Sequence, residues 1–241
     1  MKEDDTSTRA QSFGSAVDEY RAGRPDYPEQ FVRLVVPESA HTVADVGAGT
    51  GKLTAVLRRL GHDVTAIDPD RRMLDALGDS APEVRTLVGA GESLPLPDSS
   101  VDAVTYGQAW HWVDAATASC EAARVLRPGG VLVLIWNIRD PGDSFARALD
   151  DAIGSSPAET LIDTGGPEVR APFAGFTHRT HSWTRTMSPA GLDAMVRSRS
   201  PYLAADDAQR LRVLAAVADL TGGREVRLPY VTHAYVAAVP G

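Results

Sequence analysis

The segment Asp45-x-Gly47-x-Gly49-x-Gly51 carries the residue types that let a backbone approach a ligand closely. Glycine lacks a Cβ, so a ligand can press against bare main chain and the turn can use dihedrals that other residues resist. A short apolar run precedes it, and the helical spacing of Leu53, Val56 and Leu57 follows, so the stretch reads as strand, tight turn and helix. A second strand pattern, His62 to Ile67, ends at Asp68, whose carboxylate can accept from both hydroxyls of a ribose. The two strand ends face one crevice. Their chemistry is the holding of a nucleoside-containing cofactor across the carboxyl ends of parallel strands. The glycines alone would also suit a plain turn in a parallel sheet; Asp68 argues for the ligand.

Spacing narrows the choice of cofactor. A dinucleotide fingerprint places its third glycine where this chain has Lys52. A P-loop needs a glycine and a Ser or Thr at the positions occupied by Val46 and Leu53. Both phosphate-binding turns are therefore excluded. The pattern resembles motif I of the class I methyltransferases, whose cofactor, S-adenosylmethionine, has no phosphate. Four more segments fall in the order and spacing of the methyltransferase type 11 group: Tyr20-x-x-x-Arg24-Pro25-x-Tyr27-Pro28, Gly89-Ala90-Gly91-Glu92-Ser93-Leu94-Pro95, Gln108-Ala109-Trp110-His111-Trp112 and Leu126-Arg127-Pro128-Gly129-Gly130. Within that group, the Trp-His-Trp segment is similar to the trans-aconitate-type small-molecule enzymes.

The resemblance implies roles for particular residues. Gly47, Ala48, Gly49, Thr50 and Gly51 form the cofactor turn, and Asp45 organises it and reaches the methionine ammonium, directly or through water. Asp68 holds the ribose, Pro69 and Met73 flank the adenine, and Asp70 caps the next helix. Relatives often carry Asp, Ser or Thr where this chain has Ala90, so the backbone of Ala90 and Gly91 is expected to read the adenine edge. Glu92 either helps there or bonds locally to its loop. Tyr20 and Arg24 belong to an N-terminal lid, with Arg24 either pairing with the methionine carboxylate or fixed by the Pro25 turn. Gln108 and Ala109 touch the methionine portion through backbone. Trp110 and Trp112 would wall a dry acceptor pocket around His111, which is either a general base or a structural ring. Trp136, Asn137 and Arg139 end the fifth strand near the same mouth, Trp136 as lining or core, Asn137 for an orienting hydrogen bond and Arg139 for an anionic acceptor. Family geometry adds Tyr202 and Tyr230 to the acceptor side.

These residues need a scaffold. Thr42–Val46, Asp63–Ile67, Val84–Val88, Val101–Tyr106 and Val131–Trp136 read as short, valine-rich strands buried on both faces. Helical stretches near Lys52–Arg59, Asp70–Leu77 and Ala115–Val125 alternate with them, with stops at Gly61 and Gly78 and a cap at Asp114. Earlier, Phe13 to Tyr20 reads as a helix and Pro28 opens another. Longer strands are expected at Phe176–Met187 and Glu225–Val239, with helices at Pro189–Arg197, capped by Ser188, and Ala208–Leu220 between them. The fold class is α/β: a Rossmann-like, mostly parallel seven-stranded sheet with helices on both faces and an antiparallel last strand. By resemblance the seventh strand slots between the fifth and sixth, with a helical N-terminal lid and a C-terminal helical insert over the active-site rim. We read residues 1–241 as one domain: 1–11 disordered, 12–41 lid, 42–140 cofactor-binding core, 141–241 the part carrying the acceptor-site insert.

Bulk properties exclude several classes. With a net charge of −8 and a pI near 5.2, the chain lacks the basic field that nucleic acid calls for. No apolar stretch is long enough to cross a bilayer, and the polar N-terminus lacks a secretory core, so the cytoplasm is the expected location. The single cysteine, Cys120, forms no intrachain disulfide and reads as a small core residue. His178, His181 and His233 have no spacing that gathers ligands, so no metal site is assigned. Arginine far outnumbers lysine and alanine is abundant, pointing to a GC-rich bacterial genome.

The expected activity is methyl transfer from S-adenosylmethionine to a small-molecule acceptor, at a carboxylate or hydroxyl oxygen, by in-line displacement. A protein that binds the cofactor without turnover, as a regulatory or structural partner, is the alternative. The sequence leaves monomer and homodimer equally open.

Overall fold

The computed structural model describes residues 23–239. The expected disorder at 1–11, the helix at Phe13 to Tyr20 and Tyr20 itself lie outside these residues. In chain order the elements are α1 Glu29–Val35, β1 Thr42–Val46, α2 Lys52–Arg59, β2 Asp63–Asp68, α3 Arg71–Ser80, β3 Arg85–Val88, β4 Val101–Gly107, a 3-10 turn Trp110–Trp112, α4 Ala115–Val125 and β5 Leu126–Arg139. Then follow α5 Ser144–Ile153, α6 Pro157–Asp163, β6 Thr177–Met187, α7 Pro189–Arg197, α8 Ser200–Ala204, α9 Asp207–Thr221 and β7 Val226–Ala238. The strands form one seven-stranded sheet in the order β3-β2-β1-β4-β5-β7-β6, parallel from β3 to β5, with β7 and β6 supplying the antiparallel part.

The described chain forms two compact units. One comprises residues 26–138, 157–182 and 231–239, the other 23–25, 139–156 and 183–230. In the first, alternate strand residues feed two cores. Val43, Val64, Ala103, Val133 and Ile135 pack with Phe31 and Val32 of α1 and Leu53, Val56 and Leu57 of α2. Ala44, Val46, Val104, Tyr106, Leu132 and Leu134 pack on the other side with Ala118, Ala122 and Val125 of α4. Successive strand residues point to opposite faces, so a run apolar at every position requires cover on both. The second unit has its own core, in which Leu149, Leu192, Met195, Val196 and Leu228 surround Tyr230.

Four expectations need correction. Helix α3 runs through Gly78 and ends at Ser80. An interior glycine costs a helix only about 1 kcal/mol, which the buried Leu74 and Leu77 outweigh, and Pro82 disfavours helical geometry just beyond. Strand β5 starts at Leu126, not Val131: residues 127–130 loop out as a bulge between the Val101↔Leu126 and Ala103↔Val131 pairs, because Pro128 has no N–H to give and Gly129 is left-handed (φ 78°). Cys120 is exposed, since α4 buries Ala118, Ser119, Ala122 and Val125 and residue 120 points away from them. Edge strand β3 is also half exposed rather than buried on both faces.

Candidate cofactor and active site

The turn after β1 is held by bonds to the end of β2. Ala48 N–H donates to the Ile67 carbonyl (3.0 Å), and Gly49 N–H donates to the Asp68 carboxylate (2.8 Å). The other Asp68 oxygen accepts from Asp70 N–H (2.8 Å). A carboxylate oxygen has two acceptor positions, so each keeps one for a hydroxyl. Asp70 caps α3 by accepting from Arg72 N–H (3.0 Å), leaving Asp68 to the loop. Pro69 is exposed, and Met73 is half-buried in the first turn of α3.

Two of the glycines are needed for different reasons. Gly47 (φ 67°) has Ala109 so near that a Cβ would lie 2.4 Å from that methyl group. Gly49 (φ 55°) has nothing within 4 Å of that position, so its front is open. Gly51 and the buried Thr50 lead into α2, with Gly51 packed on Leu77.

Asp45 lies beneath this turn and is fully buried. Its partner across β4 is Thr105, whose hydroxyl donates to one oxygen (2.9 Å), while Thr54 of α2 donates to the other (2.6 Å). Burial pushes the carboxyl up to about 6, although both threonines favour the ionised form. Asp45 thus organises the turn by tying β1 to β4 and α2. Direct reach to an ammonium, one of its two expected modes, is not open to an enclosed carboxylate.

In the loop after β3, the Ala90 carbonyl accepts from Ser93 N–H (3.1 Å). Glu92 accepts from Asp114 N–H (2.8 Å), 22 residues on and just ahead of α4, instead of from its own loop. Behind Gly91 stands Tyr106, fully buried, whose hydroxyl has no hydrogen-bond partner among the described residues. Burial holds that phenol protonated far above its ordinary range. The sequence offered no hint of it: Tyr106 reads as one more apolar strand residue.

At the end of β4 the chain bends at Gln108, a non-glycine residue in the left-handed region (φ 58°). Its N–H donates to the Ile135 carbonyl and its side-chain amide to the Asn137 carbonyl (both 2.9 Å). Such strain costs on the order of 1 kcal/mol and persists where surroundings impose it. The Trp-His-Trp segment that follows does not wall a pocket with two indoles. In a 3-10 turn successive side chains point about 120° apart, so Trp110 enters the core, edge-on to Tyr106 and donating to the Glu168 carbonyl (2.9 Å), while Trp112 is 65% exposed. The half-buried His111 meets another indole: fully buried Trp136 donates through Nε1 to its Nδ1 at 3.3 Å. Asn137 is occupied, its Oδ1 accepting from Thr232 (2.6 Å) and its Nδ2 donating to the Asp26 carbonyl (3.3 Å).

Four expected site residues, Arg24, Arg139, Tyr202 and Tyr230, belong to the other unit. Arg24 donates to the Ser198 carbonyl (3.1 Å). Arg139 is 4% exposed and ion-paired with Asp150, so its charge is matched inside the protein instead of waiting for an anionic acceptor. Arg139 also bonds Tyr230, whose phenol burial pushes up and the charges of Arg139, Arg185 and Arg199 pull back. Tyr202 lies beneath Arg197 and Arg210 and lines an open cavity of about 570 Å³ with Ile153, Gln209 and Arg212. Among the described residues no group of three or more His, Cys, Asp or Glu side chains is placed to hold a metal ion.

The first unit therefore brings together Gly47–Gly51, Asp68, Gly91, Tyr106, Ala109 and His111. These fit S-adenosylmethionine: an open backbone front at Gly49, spare acceptor positions on Asp68 and an unpartnered phenol behind Gly91.

Comparisons with known proteins agree. Residues 44–134 match the family model described as "Methyltransferase domain". An uncharacterized methyltransferase of Mycobacterium tuberculosis (strain H37Rv) is 44% identical over 229 residues, covering 92% of this chain and 93% of that protein. Malonyl-[acyl-carrier protein] O-methyltransferase of Pectobacterium atrosepticum is 35% identical over 127 residues, covering 51% and 50%. A putative type II methyltransferase from Anaeromyxobacter dehalogenans superposes with a TM-score of 0.67 at 23% identity, covering 90% of this chain and 98% of that one, and shows the same fold. On this combination of glycine turn, Asp68, sheet order and kinship, the chain belongs to the methyltransferase domain family and is a class I enzyme that uses S-adenosylmethionine, with S-adenosylhomocysteine as product.

Proposed function

We propose that this enzyme methylates an oxygen of a small-molecule acceptor in the cytoplasm. The observation that carries the reading is the pairing of the open turn at Gly49 and Asp68 with an exposed indole and an imidazole at the end of β4. A relative of known reaction, the Pectobacterium protein, is named as an O-methyltransferase. The charge of −8 counts against an RNA acceptor, and among the described residues no helix is long and apolar enough to cross a membrane.

S-adenosylmethionine supplies an electrophilic methyl group on a sulfonium whose departure as a thioether needs no acid. The chain's task is placement. Asp68 and the backbone at Gly49 hold the nucleoside end, Tyr106 backs the adenine loop, and His111 with Trp112 orients the acceptor. Good orientation alone supplies about 7–11 kcal/mol, while one proton-transfer group adds about 10²- to 10⁴-fold, so positioning dominates.

Incubation of the protein with S-adenosylmethionine labelled in the methyl group and a metabolite extract tests the reading. Label should appear on the oxygen of a small molecule. Label in RNA or protein, or cofactor binding with no methyl release from any fraction, would overturn it.

A further inference from the structure

We propose that the outward face of α9 is where this enzyme pairs with a second copy of itself, the two helices running antiparallel across a two-fold axis. Helix α9 turns Val213, Leu214 and Val217 onto the core that holds Leu149 and Ile153. The opposite face of such a helix is normally polar, as on α3, where Arg71, Arg72, Asp75 and Asp79 meet solvent. On α9 it carries Ala208, Leu211, Ala215 and Ala218, all exposed, and Leu211 is the most exposed large apolar side chain among the described residues, at 69%. Their spacing of three, four and three residues sets them in one row along the helix, the pattern of a seam that packs against another helix. A helix apolar on both faces belongs inside an assembly, yet among the described residues α9 is covered on one side alone.

Charge identifies the occupant. Arg212 and Asp219 border the row on the same side, about two turns apart, and neither has an ion partner among the described residues. An antiparallel neighbour turned about an axis beside Ala215 exchanges the two positions. Each Arg212 then faces the partner's Asp219, twice over, while Leu211 settles on the small side chains of the partner's Ala215 and the partner's Ala218. A parallel neighbour would instead set like charges against each other at both positions. A face that complements itself in this way is what an isologous dimer requires. With 15 residues α9 is about 22 Å long, so one such helix pair buries less than the roughly 800 Å² per partner of a standard interface and holds the dimer weakly.

Sedimentation velocity of the full chain, from about 1 to 200 µM, should show a monomer–dimer equilibrium with a Kd on the order of 10 µM. Leu211→Glu and Ala215→Glu each alter a side chain that is exposed in the monomer. Both should keep the wild-type Tm and affinity for S-adenosylhomocysteine while weakening the dimer about tenfold or more. Arg212→Glu alone and Asp219→Arg alone put like charges face to face and should each weaken it roughly tenfold, whereas the Arg212→Glu/Asp219→Arg double variant should return to within about threefold of wild type. A chain that stays monomeric throughout, or a dimer indifferent to Leu211→Glu and Ala215→Glu, overturns the proposal. So does a double variant no better than its parents, which would remove the antiparallel register. Hydroxyl-radical labelling of the monomer separates the remaining occupant: Leu211 should label readily at low concentration and be protected at high, and protection at every concentration would mean that the chain's own first 22 residues cover the face.

Discussion

Asp45→Asn should stabilise the protein at alkaline pH. The carboxyl is fully enclosed, and burial raises it from 3.8 to about 6, against the two threonine hydroxyls that favour its ionised form. Between these values the folded chain holds the proton and the unfolded chain releases it. The stabilising contribution of Asp45 is therefore complete below about pH 4 and lost as pH rises through about 6, a loss of about 3 kcal/mol by pH 8. Asparagine has the same shape and no charge. Its oxygen accepts from one threonine and its amide donates to the other, whose hydroxyl turns round. We expect the variant to exceed wild type by about 2–3 kcal/mol at pH 8, a rise in Tm of roughly 5–10 °C, and to match it near pH 4. Urea denaturation at pH 4.5, 6 and 8 measures the difference. Asp102, which Thr42 and Arg127 hold down to about 2 against its burial, titrates below this window and cancels in the comparison. A variant less stable than wild type at pH 8, or a difference that ignores pH, would refute the burial argument. Calorimetry adds a functional reading: cofactor affinity should fall less than about tenfold, because a charged hydrogen bond is worth about 1.5–3 kcal/mol and none is made to the ligand by an enclosed carboxylate. A loss beyond a hundredfold would place Asp45 in contact with the cofactor.

Other substitutions separate binding from folding. Asp68→Ala removes the acceptor for Gly49 and Asp70 along with the proposed ribose contacts, so affinity for S-adenosylhomocysteine should drop about a hundredfold or more by calorimetry; an affinity within threefold of wild type would remove Asp68 from the site. Gly47→Ala forces a methyl group into Ala109 and should destabilise by about 2–4 kcal/mol in urea. Gly49→Ala meets nothing and should cost about 1 kcal/mol in stability yet weaken cofactor binding, and equal destabilisation by both would contradict the open front at Gly49. Arg139→Met removes a buried guanidinium and its ion pair with Asp150 and should destabilise the protein by about 1.5–3 kcal/mol in urea; unchanged stability would contradict the pairing.

Much of the scaffold was legible because it is written in local periodicity. The bounds of β1, α2, α4 and α7 match the expected ones, and the caps at Asp70, Asp114 and Ser188 accept the backbone N–H groups their positions suggested. The sheet order, with β7 between β5 and β6, followed from family resemblance, not from any pattern in the residues. Less legible was the stretch between β5 and β6, where α5 and α6 went unforeseen, and the face of α4 on which Cys120 falls, since a mildly apolar pattern leaves the phase of a short helix ambiguous.

By itself the sequence marked a glycine turn and a strand-end carboxylate suited to a nucleoside-containing ligand, because glycine spacing and such a carboxylate act through backbone geometry over a few residues; the resemblance supplied the cofactor. Only tertiary structure decided what each side chain does there. Asp45 spends its oxygens on Thr54 and Thr105, Arg139 spends its charge on Asp150, and His111 meets Trp136 as well as Trp112, while Trp110, expected to flank it, enters the core. Apart from Trp112, those partners lie between 9 and 60 residues away along the chain, across strands and turns. Hydrogen bonds and ion pairs act only at contact distance, so their partners become known when the strands are brought side by side.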